Sequence, residues 1–276
     1  MKMSNLNSRL ARRAAVTIAL GLLLSAQTAL ACTVTNWTGG SSGAGVLASG
    51  PDGPDGNPAI ARYAGVCSMQ TADSSAEWVQ DDSPGGIDRI RARFYVLNEL
   101  DVSQSAVVYR GFSTTGGTGN LFTVRVNDDG IVRLIDNATA TEVQQSSSTG
   151  WTSIEIDWSQ GNGDGVISLS VNGQTPAAVS NLSNSGQALQ SVRLGNLLGA
   201  GGTLNFDAYE SRRTTEIGRL VVADANASGD VTGADLSVIA SEILGNGLAI
   251  GQPDCNESGG VTGADLSCTA AIILGL

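Results

Sequence analysis

The sequence WTSIEIDWSQGNGDGVISLSVNG, from Trp151 to Gly173, decides the fold class of this chain. Apolar and polar residues alternate in its first half, which places Ile154, Ile156 and Trp158 on one face of a strand. The Gly-rich centre and the Asn-Gly pair at its end supply residues that accept positive φ in tight turns. The stretch therefore predicts two antiparallel strands with one face buried.

Similar short segments recur on both sides of this hairpin, with turn residues and no helical pattern between them. In one of them, residues 90–97, alternation places Ile90, Ala92, Phe94 and Val96 on a shared face. The segments expected to form strands are 59–66, 90–97, 105–112, 120–126, 130–135, 151–158, 166–171, 191–195 and 204–209, with 217–222 as a further candidate. Many short antiparallel strands predict a mainly β sandwich or barrel.

The residue order of the hairpin, W-x-x-I-E-I-D-W, a Gly-rich turn and V-I-S-L-S-V-N-G, resembles the laminin-G and concanavalin A-like superfamily. In that superfamily a Trp-led strand pairs with a strand that ends in Asn-Gly or Asp-Gly. The resemblance covers roughly residues 57–222 and implies an antiparallel jelly-roll β-sandwich, which we assign to a domain of residues 32–222. A shared fold does not by itself imply a shared activity.

The charged residues narrow the chemistry open to the chain. The sequence holds 15 Lys and Arg, 26 Asp and Glu, and no His. Residues 32–276 carry 11 Arg and no Lys against the same 26 acids, a formal charge of −15. Nucleophiles activated by imidazole, imidazole metal ligands and Schiff-base chemistry are therefore excluded. The charge disfavours nucleic acid as a partner and leaves calcium, sugars or another protein.

Residues 1–31 have the pattern of a secretory signal peptide. A basic start precedes an apolar run at 14–24, and Ala29-Leu30-Ala31 forms a small-residue cleavage motif. The run is too short to span a bilayer, so we expect no transmembrane segment in the mature chain. The predicted location is extracellular or at the cell surface, with the periplasm as an alternative.

Four cysteines fall in two local pairs. An oxidising compartment favours disulfides between Cys32 and Cys67 and between Cys255 and Cys268. Lipidation of Cys32 is the alternative, but it would leave Cys67 without a partner. The leucine that a lipidation motif needs also lies one place too late, so we predict two disulfides.

The C-terminal segment contains a repeat with a period of 30 residues. VTGADLSVIASEILG (231–245) and VTGADLSCTAAIILG (261–275) are each preceded by D-x-N-x-S-G. This order has the oxygen-ligand spacing of a 12-residue calcium loop. The predicted ligands are Asp224, Asn226, Ser228, Asp230, Thr232 and Asp235 in loop one, and Asp254, Asn256, Ser258, Gly260, Thr262 and Asp265 in loop two, with Asp230 and Gly260 using main-chain carbonyls. We expect two bound Ca²⁺ ions.

An apolar pattern of helical period follows each loop, and Thr232 with Asp235 fits a capping box. A duplicated loop followed by one helix, D-x-N-x-[DS]-G-x-V-T-x-x-D-L, resembles the dockerin module and covers residues 223–276. The resemblance implies two calcium ions, two antiparallel helices and a cohesin-like partner, with self-association as the alternative. No Lys or Arg follows Arg219, although dockerin helices commonly carry basic residues for the partner.

One strand carries candidate catalytic carboxylates. Glu155 and Asp157 share a face and resemble the E-x-D-x-x-E strand of laminarinase-type glycoside hydrolases. Gln160 stands where that motif has its acid, and an amide cannot protonate a leaving group. We therefore interpret the strand as non-catalytic, with a divergent glycoside hydrolase acting on polysaccharide as the alternative.

Together these patterns predict a secreted, non-catalytic, calcium-binding protein. The sandwich would bind a glycan or another surface ligand, and the dockerin-like module would mediate attachment or assembly. A calcium-dependent, self-assembling structural subunit is the remaining alternative. Tyrosines such as Tyr63, Tyr95 and Tyr109 could stack on sugars, but aromatic residues of sandwiches more often lie in the core.

Overall fold

The computed structural model describes residues 37–38, 47–49, 60–147 and 150–276. Thirteen strands and two helices lie within these ranges. The strands are β1 (Leu47–Ser49), β2 (Ser68–Thr71), β3 (Glu77–Asp81), β4 (Arg89–Leu100), β5 (Ser105–Phe112), β6 (Asn120–Asn127), β7 (Ile131–Asp136), β8 (Thr141–Ser146), β9 (Trp151–Ser159), β10 (Asn162–Val171), β11 (Ala177–Ser183), β12 (Ser191–Asn196) and β13 (Gly202–Arg212). The helices are α1 (Gly233–Ile243) and α2 (Gly263–Leu274).

The strands form two antiparallel sheets that pack face to face. The seven-stranded sheet has the order β1-β2-β13-β4-β9-β10-β11, and the six-stranded sheet has the order β3-β12-β5-β6-β7-β8. The quoted hairpin forms β9 and β10, which pair from Val166 with Ser159 to Val171 with Ile154. The predicted mainly β jelly-roll sandwich followed by two helices is confirmed.

The core lies between the two sheets and uses the faces that alternation predicted. Ile154, Ile156 and Trp158 of β9 are buried there, as are Ile90, Ala92, Phe94 and Val96 of β4. The indole Nε1 of Trp158 donates to Asp136 Oδ2 at 3.0 Å, so the one polar atom of this side chain has a partner inside the core.

Two segments predicted as strands are not strands. Residues 60–66 lack strand pairing because the backbone N–H groups of Tyr63 and Ala64 donate to the carboxylate of Asp207 instead. Residues 217–222 also lack strand pairing, because their N–H groups bond to side chains of β4 and β9. Side-chain acceptors have replaced a neighbouring strand in both segments.

The C-terminal helices begin as the sequence predicts. Thr232 and Thr262 are the N-caps of α1 and α2, and a complete capping box is present at both. The predicted disulfide between Cys255 and Cys268 is present. Cys67 is disulfide-bonded, but its predicted partner, Cys32, lies outside the described residues.

The apolar face predicted for α1 is only partly buried. Ile239 is fully buried against Ala225 and Ala249, whereas Ile243 and Leu244 are 39% and 72% exposed. The buried residues of the helix are Asp235 and Ile239, so burial is confined to its first two turns.

The strands and both helices belong to one compact unit, Cys32–Leu276. The boundary between the sandwich (32–222) and the C-terminal module (223–276) therefore stays a prediction. The signal peptide predicted at 1–31 lies outside the described residues. Within the described part of the chain, no helix is long and apolar enough to cross a membrane.

Candidate functional site

Loop one folds around its first acidic residue. The Oδ1 of Asp224 accepts from the backbone N–H of Ser228 at 2.9 Å, and its Oδ2 accepts from Gly229 N–H at 2.8 Å. The hydroxyl of Ser228 lies 3.5 Å from Asp224 Oδ1 and 3.1 Å from the carbonyl oxygen of Asp230. Three predicted ligands therefore bring their oxygens together on one side of the loop.

The last acidic residue closes loop one. The Oδ2 of Asp235 accepts from the backbone N–H of Thr232 at 2.8 Å and from its hydroxyl at 3.2 Å. The other oxygen, Oδ1, accepts from the N–H of Asn226 at 3.1 Å. One carboxylate thus caps α1 and also bonds to the opposite side of the loop.

Loop two repeats the same bonds with almost the same lengths. Asp254 accepts from Ser258 N–H at 3.0 Å and from Gly259 N–H at 2.7 Å. Asp265 accepts from Thr262 N–H at 2.7 Å and from Asn256 N–H at 3.2 Å. Two chain segments that differ at several positions therefore fold into the same oxygen-lined loop.

The four loop carboxylates are buried, and none of them forms an ion pair with a described arginine. Asp224 and Asp254 are 7% and 1% exposed, and Asp235 and Asp265 are fully buried. No Lys or Arg lies in the sequence after Arg219. Burial raises the pKa of Asp254 to about 6, two backbone N–H bonds oppose this shift, and the charge of Asp265 adds to it. Buried carboxylates normally need a paired positive charge, which calcium would supply here.

The ligand set fits a hard cation. Each loop supplies two carboxylates. Among the described residues, no three or more acidic or cysteine side chains lie close enough together to hold a metal ion by themselves. The remaining ligands would be the Asn amide, the Ser and Thr hydroxyls and the main-chain carbonyl at the seventh loop position. Oxygen donors of this kind suit calcium and not a softer metal.

Loop two is attached to the sandwich through Glu257. Its carboxylate accepts from the hydroxyl of Tyr63 at 2.6 Å and forms an ion pair with Arg219. Its backbone carbonyl accepts from the N–H of Trp151, the first residue of β9, at 2.9 Å. The repeat carries no signal for this contact, because loop one has Ala227 at the equivalent position.

A second, small core lies on the outer face of the seven-stranded sheet. Tyr63, Tyr95, Leu97 and Trp151 are buried together, with the rings of Tyr63 and Tyr95 stacked at 3.7 Å between centroids. The hydroxyl of Tyr95 accepts from the N–H of Leu220 at 2.8 Å. These aromatic residues are therefore core residues, and this part of the sheet is covered by chain.

The candidate catalytic carboxylates are engaged by the protein itself. Glu155 Oε1 and Oε2 each accept at 2.9 Å, from the N–H groups of Ile217 and Gly218. Asp157 accepts from Arg89 Nε at 2.9 Å and from Arg91 Nε at 3.0 Å. They line a cavity of about 260 Å³ on the outer face of the sheet. Neither carboxylate has an oxygen left without a donor.

Gln160 lies at the end of β9 and also has partners on both sides of its amide. Its Nε2 donates to Asp88, and its Oε1 accepts from Gly186 N–H at 3.2 Å. The side chain therefore joins two loops. Gln160 therefore has a structural role at the position where the hydrolase motif has its acid.

No protein-family model and no curated protein matches the chain. Solved structures with a similar fold include the cellulose induced protein Cip1, at 13% identity over 68% of this chain and 92% of that one, with a TM-score of 0.45. An alginate lyase from Pseudomonas aeruginosa is 11% identical over 53% of this chain and 83% of the lyase, with a TM-score of 0.37. A Trypanosoma rangeli sialidase is 12% identical over 62% of this chain and 28% of the sialidase, with a TM-score of 0.41. Similarities at this level carry no argument about activity.

Proposed function

We propose that this chain is a secreted, non-catalytic protein that binds two calcium ions through its C-terminal loops and an extracellular glycan through its sandwich. The observation that carries the calcium part is the pair of duplicated loops. Each loop buries two carboxylates beside further oxygen atoms, and none of these four carboxylates forms an ion pair with a described arginine. With two carboxylates a loop, the affinity should lie near the weak, extracellular end, on the order of 10⁻⁴ M.

Isothermal titration of calcium into the apo protein tests this part. We expect two sites in the wild type and one in Asp254→Asn, because the amide removes a charge and leaves the shape of loop two nearly unchanged. Asp164→Asn is the matched control, since Asp164 is an exposed acid near the start of β10, outside both loops. Equal titrations for all three proteins, or no heat at millimolar calcium, would reject the calcium loops.

The non-catalytic part rests on the bonds of Glu155 and Asp157. A nucleophile needs a carboxylate oxygen free to reach the substrate, and a general acid needs a proton to donate. Glu155 is held by two backbone N–H groups, and Asp157 is paired with two arginines. We expect no release of reducing sugar from β-glucans or uronans. Release that Glu155→Gln abolishes would establish a hydrolase.

Assembly through the C-terminal module is a second candidate function, favoured by an exposed apolar surface. The last turns of both helices expose Leu244, Ile272 and Leu274 at 72%, 45% and 70%. Ile272 and Leu274 lie within one turn at the end of α2, and exposed apolar patches commonly mark a protein contact. These exposed helix ends would serve a cohesin-like partner or a second copy of the chain.

Light scattering with and without calcium separates the two partners. A mass that doubles with calcium and returns to that of one chain in Leu244→Ser supports self-association. A constant mass of one chain excludes self-association and leaves a separate partner, which a calcium-dependent pull-down from the secretome of the source would identify.

A further inference from the structure

The outer face of the six-stranded sheet carries four arginines on four consecutive strands. These residues, which we call the arginine row, are Arg193 of β12, Arg110 of β5, Arg125 of β6 and Arg133 of β7. Their strand neighbours Val192, Val124 and Val132 lie in the core between the sheets, so the arginines point away from it. The row crosses three strand spacings, or about 14 Å, and is offset by two residues along β6, because Arg110 pairs with Thr123 and not with Arg125.

The register places like charges opposite each other. Arg193 pairs directly with Arg110 across β12 and β5, and Arg125 pairs directly with Arg133 across β6 and β7. Like charges in directly opposed positions destabilise a sheet. Acidic residues opposite these arginines would remove the repulsion. The protein has more than twice as many acids as arginines after residue 31, but none of them stands opposite an arginine in these two pairs.

A β-bulge brings Arg110 into the row. The register between β5 and β6 shifts between Val107 and Tyr109, so that Val108 and Tyr109 both lie in the core. The bulge thereby turns Arg110 to the outer face, where uninterrupted alternation from Val108 would have turned it inward. Bulges are used in sheets to re-aim a side chain, often beside a binding site.

Three of the four row arginines form no ion pair with a carboxylate of the described residues. Seven of the 11 arginines after residue 31 form ion pairs with described carboxylates. Arg110, Arg125 and Arg193 form none among the described residues, and Arg133 has only Glu142 at 3.6 Å. The buried Nε atoms of Arg110, Arg125 and Arg133 also have no hydrogen-bond partner there. Burial lowers the pKa of Arg110, and the charges of Arg125 and Arg193 lower it further.

One end of the row is held in a fixed conformation. Arg193 Nε donates to the side chain of Gln80 at 2.7 Å, and its guanidinium lies 4.5 Å from the ring centre of Trp78. A Cβ on Gly117 would lie 2.1 Å from Arg193 Nη2, so a larger residue at this position would displace the guanidinium. A fixed guanidinium loses little entropy when it binds an anion.

We propose that the arginine row binds the acidic groups of an anionic polysaccharide. The proposal rests on the proposed glycan binding by the sandwich and specifies its face and the charge of the ligand. Guanidinium groups recognise carboxylates and sulfates through paired hydrogen bonds. A polysaccharide with one acidic group a sugar would bring successive charges to successive strands and relieve the repulsion within the row.

The charge density of the ligand follows from the rest of the chain. Duplex DNA carries one charge per about 1.7 Å of its axis when both strands are counted, so a duplex lying along about 14 Å of the row would bring about eight phosphates to it. Four arginines on a protein of charge −15 do not balance that density. A polysaccharide with widely spaced acidic groups fits the row better.

Affinity electrophoresis through gels that contain polygalacturonate tests the proposal. We expect retardation of the wild type that salt weakens, and at least about tenfold weaker binding for Arg110→Gln and for Arg125→Gln, because each removes a charged hydrogen bond. Arg213→Gln is the matched control, since Arg213 is exposed, lies outside the row and has no described ion pair. The melting temperatures of the row variants should stay equal or rise, because each loses a like-charge contact.

Several outcomes would overturn the proposal. Equal retardation of the wild type and both row variants would exclude the row as the site. Equal retardation in neutral dextran gels would leave glycan binding intact and reject the anionic class. Single-stranded DNA that binds as tightly as polygalacturonate would point to a nucleic-acid surface instead. A loss of binding with a matching loss of melting temperature would assign the arginines a structural role.

Discussion

Calcium should stabilise the whole of the compact unit and not only its C-terminal loops. At about 10 mM calcium and a dissociation constant of about 10⁻⁴ M, a single site contributes about 2.7 kcal/mol to the free energy of unfolding. Two sites would contribute about 5 kcal/mol. For a unit of this size, each kcal/mol raises the melting temperature by about 2–4 °C, so we expect a rise of about 10–20 °C.

The coupling to the sandwich depends on Glu257. This loop-two residue bonds to Tyr63, Arg219 and the backbone of Trp151. Differential scanning calorimetry with calcium, with magnesium and with a chelator should therefore give one peak, which only calcium shifts upward. Glu257→Gln should reduce the rise in melting temperature that calcium causes, because it weakens the attachment of loop two to the sandwich.

Two results would refute this reasoning. A melting temperature that changes by less than about 2 °C between chelator and calcium would mean that the loops do not bind the ion. A shift that persists in the double variant Asp224→Asn, Asp254→Asn would place the calcium elsewhere. Two separate peaks with a calcium-insensitive sandwich would contradict only the coupling through Glu257.

Three further results are expected. Burial raises the pKa of Asp207 to about 6, although three backbone N–H bonds oppose this shift. The contribution of Asp207 to stability is therefore present below about pH 4 and is lost as the pH rises through 6. In urea unfolding, Asp207→Asn should show a shallower decline of the free energy of unfolding over that range, and an unchanged slope would contradict the shift. Gly251→Ala should lower the melting temperature, because its Cβ would lie 1.9 Å from a loop-one carbonyl oxygen, whereas Gly233→Ala meets nothing within 4 Å and should not. Trp158→Phe should cost about 1–3 kcal/mol in urea unfolding, because it removes a buried donor to Asp136; a neutral change would show that this bond contributes little.

The sequence was sufficient for elements whose pattern is local. Alternation in β4 and β9 predicts their buried faces because the period of a strand is fixed, and the Thr-Asp capping boxes predict where both helices begin because the cap needs only neighbouring residues. The 30-residue repeat likewise predicts two equal loops. These features require no knowledge of distant contacts.

Features that depend on distant contacts were not predictable. Residues 60–66 and 217–222 alternate like strands, but Asp207, Glu155 and Tyr95 bond to their backbones. The polar strands β3, β8 and β11 were missed because their outward residues hide the alternation. The arginine row also has no signal in the sequence, since its members are far apart along the chain and only the register and one bulge bring them together.

The two outer faces of the sandwich differ in what covers them. Residues 60–66, the segment before loop one and loop two itself lie on the seven-stranded sheet, where they engage Tyr95, Trp151 and Glu155. The six-stranded sheet instead presents four arginines, of which only Arg133 forms an ion pair with a described carboxylate. Calcium and the proposed polysaccharide would then act on opposite faces. Calcium would fix the segments that cover the seven-stranded sheet and leave the arginine row on the six-stranded sheet unchanged. The affinity of the folded protein for the polysaccharide should therefore depend on salt and not on calcium.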